Sequence, residues 1–333
     1  MNAPAIYPWA RQSAGPSPLR RPSSVRRTTS IDVHWPDGWG QASIMQGAGR
    51  DVFTPVEGGA PVVLDEGSYA ITASTMREIL GVSASPEHPN AQQMVGIRGG
   101  GASRIALGQI MGSIKGTPLY QIMDDFAGAS LVSGWIWSVW TDDWAARMNS
   151  SDSQQMRRKM TNICTGFTEG ASSLSEDGGP DAKGQSRTKV GPLVNPEDPL
   201  GWHDLPHQEG PRFRRARRLD VWREGDLIYC DIGFQDSGPN PQGARTAVHE
   251  YQVSVTVDPN EMTVTSLHAT PLILPYRECP GAVANIKRLV GHEVAEFRQD
   301  VLDTLSGNLG CTHLNDVLRS LADVPVLAAH IPR

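Results

Sequence analysis

Long apolar runs are missing from this sequence. No stretch approaches the roughly 20 consecutive apolar residues that a membrane-spanning helix needs, and the first residues lack the apolar core of a secretory signal. The expectation is a cytoplasmic protein with no membrane partner. Cysteine is scarce: Cys164, Cys230, Cys279 and Cys311 are the four. They form no C-x-x-C pair, so a zinc knuckle is not expected, and a reducing compartment would keep them as thiols. Positive charge is not in excess either. Thirty Lys and Arg against 36 Asp and Glu give a net charge of −6, which argues against nucleic acid as a partner. The run Gly99-Gly100-Gly101 lacks the strand and lysine of a phosphate loop, so nucleotide binding has no support. No cofactor motif is evident, which leaves zinc or iron as the cofactor classes still open.

What is present suits a globular chain with many turns, since 333 residues include 34 Gly and 25 Pro and are enough for two domain-sized units. Residues 1–25 are rich in Pro, Ser, Arg and Gly and read as a flexible or draped arm. From Ser30 the pattern turns strand-like: Ile31-Asp32-Val33-His34-Trp35, the turn Pro36-Asp37-Gly38, then a second run to Met45. Segments 61–64 and 68–73 read as further short strands. Ser74 ahead of Thr75-Met76-Arg77-Glu78-Ile79-Leu80 predicts a short capped helix.

A second block opens in the same way with Leu219-Asp220-Val221-Trp222. Strand 227–234 follows, then a hairpin of 250–258 and 262–270 turning at Asp258-Pro259-Asn260. Beyond Pro275 the period becomes helical, with Val294, Phe297, Val301 and Leu305 on one face and Leu314, Val317, Leu318 and Leu321 on another. Residues 106–132 align without a gap on 301–327, matching Leu107, Gly112, Thr117, Leu119 and Ala127 to Leu302, Gly307, Thr312, Leu314 and Ala322. The expected fold class is therefore α+β: two diverged copies of an antiparallel-strands-then-helices unit, pairing as lobes and joined by a long connector. The boundaries are 26–135 for the first copy, 136–213 for a helical segment (136–165) and connector, and 214–333 for the second copy.

Gly310-Cys311-Thr312-His313-Leu314-Asn315-Asp316-Val317-Leu318, with Leu274-Pro275-Tyr276-Arg277-Glu278-Cys279-Pro280-Gly281-Ala282 before it, resembles a bacterial domain-of-unknown-function family, the one numbered 2889. Val248-His249-Glu250-Tyr251 and Leu219-Asp220-Val221-Trp222 resemble it too, and the resemblance runs from about Arg26 to Leu327. The family is uncharacterised. Its members resemble proteins found among bacterial catabolic enzymes for aromatic, steroid or terpenoid compounds.

Cys311 opens a helix, where the helix dipole would favour its thiolate, and its bland alternative is a small packing residue. His313 lies two residues on, beside a Thr312 that can cap. Strand alternation puts His249 inward with Tyr251, Val253 and Val255. Glu278 and Cys279 share a Pro-bounded loop. These residues give the candidate catalytic set Cys311, His313, His249 and Glu278, and the candidate metal set Cys279, Cys311 and His313. Cys230 reads as structural, and Cys164 and His203 as packing rather than lid residues. Asp124-Asp125 reads as a solvated helix end. The arginine runs 20–27 and 212–218 read as ion-pair partners of acidic side chains, with a bound carboxylate, phosphate or coenzyme tail as the alternative.

The leading expectation is an enzyme, a lyase, isomerase or hydrolase, acting on a small apolar organic compound in a pocket between the lobes. The alternatives are a metal- or cluster-binding carrier and a non-catalytic accessory subunit whose nine tryptophans serve an interface. A homodimer is left open.

Overall fold

The structure, a computed structural model, describes residues 4–55, 60–144, 160–176, 178–181, 185 and 187–332. Alternating side chains in both halves build antiparallel meanders. The first contains β1 (Ser24–His34), β2 (Ser43–Thr54), β3 (Val62–Ala73) and β4 (Ile79–Ser85). The second contains β6 (Phe213–Glu224), β7 (Leu227–Pro239), β8 (Arg245–Val257) and β9 (Val264–Ile273). Between them β5 (Thr188–Val190), from the connector, pairs with the start of β8.

The meanders do not form separate lobes. β1 pairs antiparallel with β6 from Ser24↔Trp222 to Val33↔Phe213, so a single sheet runs β4-β3-β2-β1-β6-β7-β8, with β9 on β8. The echo between the two opening motifs becomes physical at this seam. Arg26 reaches across to Asp220 and Arg214 reaches across to Asp32, reciprocal pairs of the register at 2.5–2.8 Å.

Helices cover one face. The first half supplies α1 (Gly101–Ile110), α2 (Pro118–Val132) and α3 (Ile136–Trp140). The second supplies a long 3-10 helix (Cys279–Leu289), then α4 (Phe297–Thr304), α5 (Thr312–Arg319) and α6 (Val324–Ala328). The order of elements agrees in the two halves, and short 3-10 turns at Gly112–Ile114 and Gly307–Leu309 fall at matching places before α2 and α5. Thr117 caps α2 by accepting from the Tyr120 N–H at 3.2 Å. None of the described helices is long and apolar enough to cross a membrane.

Two apolar clusters are buried, each drawn mainly from one half. One gathers Ile71, Met45, Ile122 and Phe126, the other Phe234, Val253, Phe297 and Leu318. Between them, on the helix face of the seam, lies a buried network of guanidinium and carboxylate groups. Arg27 pairs with Asp51 and Asp323 at 2.6 Å, Arg215 with Asp236 at 2.9 Å and Asp316 at 2.8 Å, and Arg217 with Asp125 at 2.6 Å. Arg298 and Arg319 hold Asp124 at 2.7 Å, and Arg104 holds Asp316.

Several expectations need correction. Asp124-Asp125 is not a solvated helix end: both carboxylates are buried on α2, Asp124 paired with Arg298 and Arg319 and Asp125 with Arg217. Residues 75–80 are not helical. Ser74 Oγ accepts from the Met76 and Glu78 N–H groups, Arg77 takes φ 65°, and the chain reverses into β4, where Ile79 is buried and Leu80 exposed. The hydroxyl that could have capped a helix instead closes a hairpin. Segments 61–64 and 68–73 are one continuous strand. The arm is draped rather than loose: Gln12 N–H donates to Leu272 O, Ser17 N–H donates to Leu193 O, and Arg20 clasps Asp198. Of the helical segment expected over 136–165, α3 is present, and 145–159 lies outside the described residues.

Removing one arginine of the seam should expose how much it carries. Arg27→Met leaves Asp51 charged and buried without its cation, while Asp323 keeps Arg298 at 2.9 Å, so urea denaturation should show a loss of about 3–5 kcal/mol.

Candidate functional site

On the helix face of β7 the inward positions are Ile228, Cys230, Ile232 and Phe234, and the next in the series is a carboxylate, Asp236. Across the ladder its partner is His249 of β8. α5 then lays His313 over His249, with ring centroids 3.5 Å apart and planes within 21°. His249 Nδ1 lies 3.2 Å and His313 Nε2 3.8 Å from the same oxygen, Asp236 Oδ2. These three atoms lie within 4.8 Å of one another. Both nitrogens are buried, and neither is aligned for a hydrogen bond with any described residue.

The trio's charge state follows from its surroundings. Burial by itself would raise the Asp236 carboxyl, but the bidentate grip of Arg215 at 2.9 and 3.0 Å, together with His249, outweighs it and holds the group ionised. Burial pushes the His249 imidazole down, against the pull of Asp236. Burial, then the neighbouring His249, pushes His313 well down. Two neutral rings can stack where two cations could not. His313 Nδ1 faces Thr312 Oγ1 at 3.4 Å and Cys311 Sγ at 3.9 Å, which leaves Nε2 as the nitrogen turned toward Asp236. Of the three side chains Asp236 is fully enclosed, while 13% of His313 is exposed and gives the site its edge to solvent.

The predicted site residues divide. His249 and His313 meet, and Cys311 adjoins them. Cys311 does sit at the N-cap of α5, but it is not a thiolate: burial raises its thiol above the ordinary range, and the nearby Tyr251 hydroxyl and the backbone N–H groups of Leu314 and His313 only partly offset this. Glu278 is engaged elsewhere, accepting from Ser172 N–H at 2.9 Å and Ser172 Oγ at 3.2 Å. Cys279 sits with Cys164 around Gly166, and burial raises its thiol well above normal. Cys279, Cys311 and His313 therefore do not form the expected ligand set among the described residues, where the convergent donors are Asp236, His249 and His313. Cys230 is core.

Asp236 is the member that sequence reading missed. Its signal was a carboxylate at an inward position of an otherwise apolar strand, six residues from Cys230 on the same face. His203 is no lid residue. It lies buried on the opposite face of the sheet, with Nδ1 2.9 Å from Thr28 Oγ1 and Nε2 2.8 Å from Ser30 Oγ.

Two titrations check these assignments. In imidazole-resolved NMR, His249 and His313 should remain neutral at pH 6.5, where a free imidazole is about half protonated. Burial lowers the His203 pKa to about 3, so the unfolded chain takes up this proton near pH 6.5 while the folded chain does not. The resulting stability is present above that pH and lost as pH falls toward 3. Between pH 7.5 and 5 His203 should account for about 2 kcal/mol of lost stability, which His203→Gln abolishes.

No curated protein and no solved structure matches this chain. Residues 213–327, the segment that holds Asp236, His249, Cys311 and His313, match the model of a family described as Protein of unknown function (DUF2889), the family that the G-C-T-H-L run resembles.

Proposed function

We propose that the protein is an enzyme acting on a small organic molecule, and that Asp236, His249 and His313 hold a divalent metal ion of the zinc or iron type as its reacting centre. One observation carries this reading: two buried imidazole nitrogens without hydrogen-bond partners among the described residues converge on one carboxylate oxygen. Two neutral imidazoles and a carboxylate are the donor set of hydrolytic zinc and non-haem iron sites. A metal there would polarise a carbonyl or acidify a bound water. The chain's own contribution is to fix Asp236 through Arg215, to keep both imidazoles neutral by burial, and to leave the His313 edge open for a substrate. Hydrolase, lyase or isomerase chemistry on aromatic, steroid or terpenoid compounds remains the substrate proposal, resting on the family resemblance alone.

A second reading rests on the line Cys311 Sγ, His313 Nδ1, His313 Nε2, Asp236 Oδ2, with steps of 3.9 and 3.8 Å. That is the order of a thiol, a base and an orienting carboxylate. The raised Cys311 thiol places it behind the metal reading.

Titration with Co²⁺ distinguishes the two. The metal reading expects about one equivalent to bind with a visible d–d spectrum, and His313→Gln, at the least buried member, to weaken binding by about 100-fold or more with folding retained. Protein that takes up neither Co²⁺ nor Zn²⁺, while Cys311 is alkylated by iodoacetamide faster than an ordinary thiol, would replace it with the thiol reading.

A further inference from the structure

A cavity of about 270 Å³ lies on the face of the sheet opposite the helices, roofed by residues 14–18 of the arm and walled by Trp202. It exists because two arm-facing positions on adjacent strands, Ala216 of β6 and Gly233 of β7, carry almost no side chain, so the arm spans a hollow where longer residues would fill it. At its side stands the cross-strand pair Gln235 and Glu250. Glu250 is 4% exposed and receives only neutral donors: Ser13 Oγ at 3.1 Å and Ala14 N–H at 2.7 Å on Oε1, and Gln235 Nε2 at 3.0 Å on Oε2. No ion pair reaches it among the described residues. Arg218, the cation lining the same cavity, is matched by Asp220 and Asp231. The carboxamide orientation that serves Glu250 leaves Gln235 Oε1 buried with no hydrogen-bond partner among the described residues.

A hollow containing a carboxylate without an ion-pair partner among the described residues, and a carbonyl oxygen without a hydrogen bond among them, offers two unmet acceptors, and a buried charge of this kind favours a cation that can also donate hydrogen bonds. From this geometry we infer that the cavity is a binding site for a small organic amine in its ammonium form, its apolar body lying against Trp202 and the prolines of the arm. An alkali ion would satisfy the charge but not the apolar wall, and a carboxylic acid would oppose Glu250. The site is distinct from the Asp236 trio, because the sheet lies between them: Gln235 and Glu250 are the immediate chain neighbours of Asp236 and His249 and face the other way.

The test is isothermal titration of the full chain with three probes of one shape: cyclohexylamine, cyclohexanol and cyclohexanecarboxylate. The amine should bind at least about 10-fold more tightly than the alcohol, and the carboxylate should not bind. Gly233→Val places a side chain in the hollow, and its Cβ would meet Arg218 only at ordinary contact, 3.5 Å. This variant should keep the wild-type melting temperature and lose about 10-fold or more in amine affinity, as should Glu250→Gln. If Gly233→Val unfolds, Ala216→Leu fills the same space. His313→Gln should bind the amine like wild type, which separates this site from the metal proposal. An amine that binds no better than cyclohexanol, or that binds the cavity-filled variant unchanged, overturns the inference.

Discussion

The seam between β1 and β6 carries charge where a sheet of this size would ordinarily carry hydrocarbon. Arg27, Arg215 and Arg217 point from its helix face into a dry interior, and an arginine cannot shed its proton there. Each must therefore be met by a carboxylate, and two of those carboxylates come from the opposite half of the chain. Arg27 in the first half takes Asp323 from the segment between α5 and α6, while Arg217 in the second takes Asp125 from α2. Desolvation makes any unpaired arrangement expensive, so these pairs oppose other placements of the helices over the sheet.

The candidate site grows out of this network. Asp236 is both the clasp of Arg215 and the point where His249 and His313 converge, so the residue that orients the imidazoles is itself held by two charged hydrogen bonds. Three elements set the site's geometry: the β7–β8 register, the docking of α5, and the seam arginine. The same burial that keeps the imidazoles neutral also raises the Cys311 thiol, which is why proximity alone does not make that cysteine the leading nucleophile.

On the other face the seam is lined by a second set of ion pairs, Arg26 with Asp220, Arg214 with Asp32, and Arg218 with Asp231. Here the arm and connector take the place of helices. Polar segments without regular structure can cover a charged sheet face because their backbone groups meet its charges: Ala14 N–H donates to Glu250, and Pro18 O accepts from Arg26.

Local pattern settled much of this in advance. Period-two alternation determined most strands and the inward direction of His249, the helical period determined the faces around Phe297 and Leu314, and the G-C-T-H-L run pointed to the family later matched over 213–327. Alternation is a property of each strand by itself and needs no partner to be read. The sequence could not reveal that Ser74 closes a hairpin, since a hydroxyl serves a turn or a helix cap equally well. It could not reveal that β1 and β6 fuse two meanders into one sheet, that Asp124-Asp125 is buried, or that Asp236 rather than Cys279 lies beside His249 and His313. Those outcomes depend on contacts between residues up to about 300 positions apart, such as Arg27 and Asp323, and the cost of leaving a buried charge unpaired acts only once the chain has closed around it.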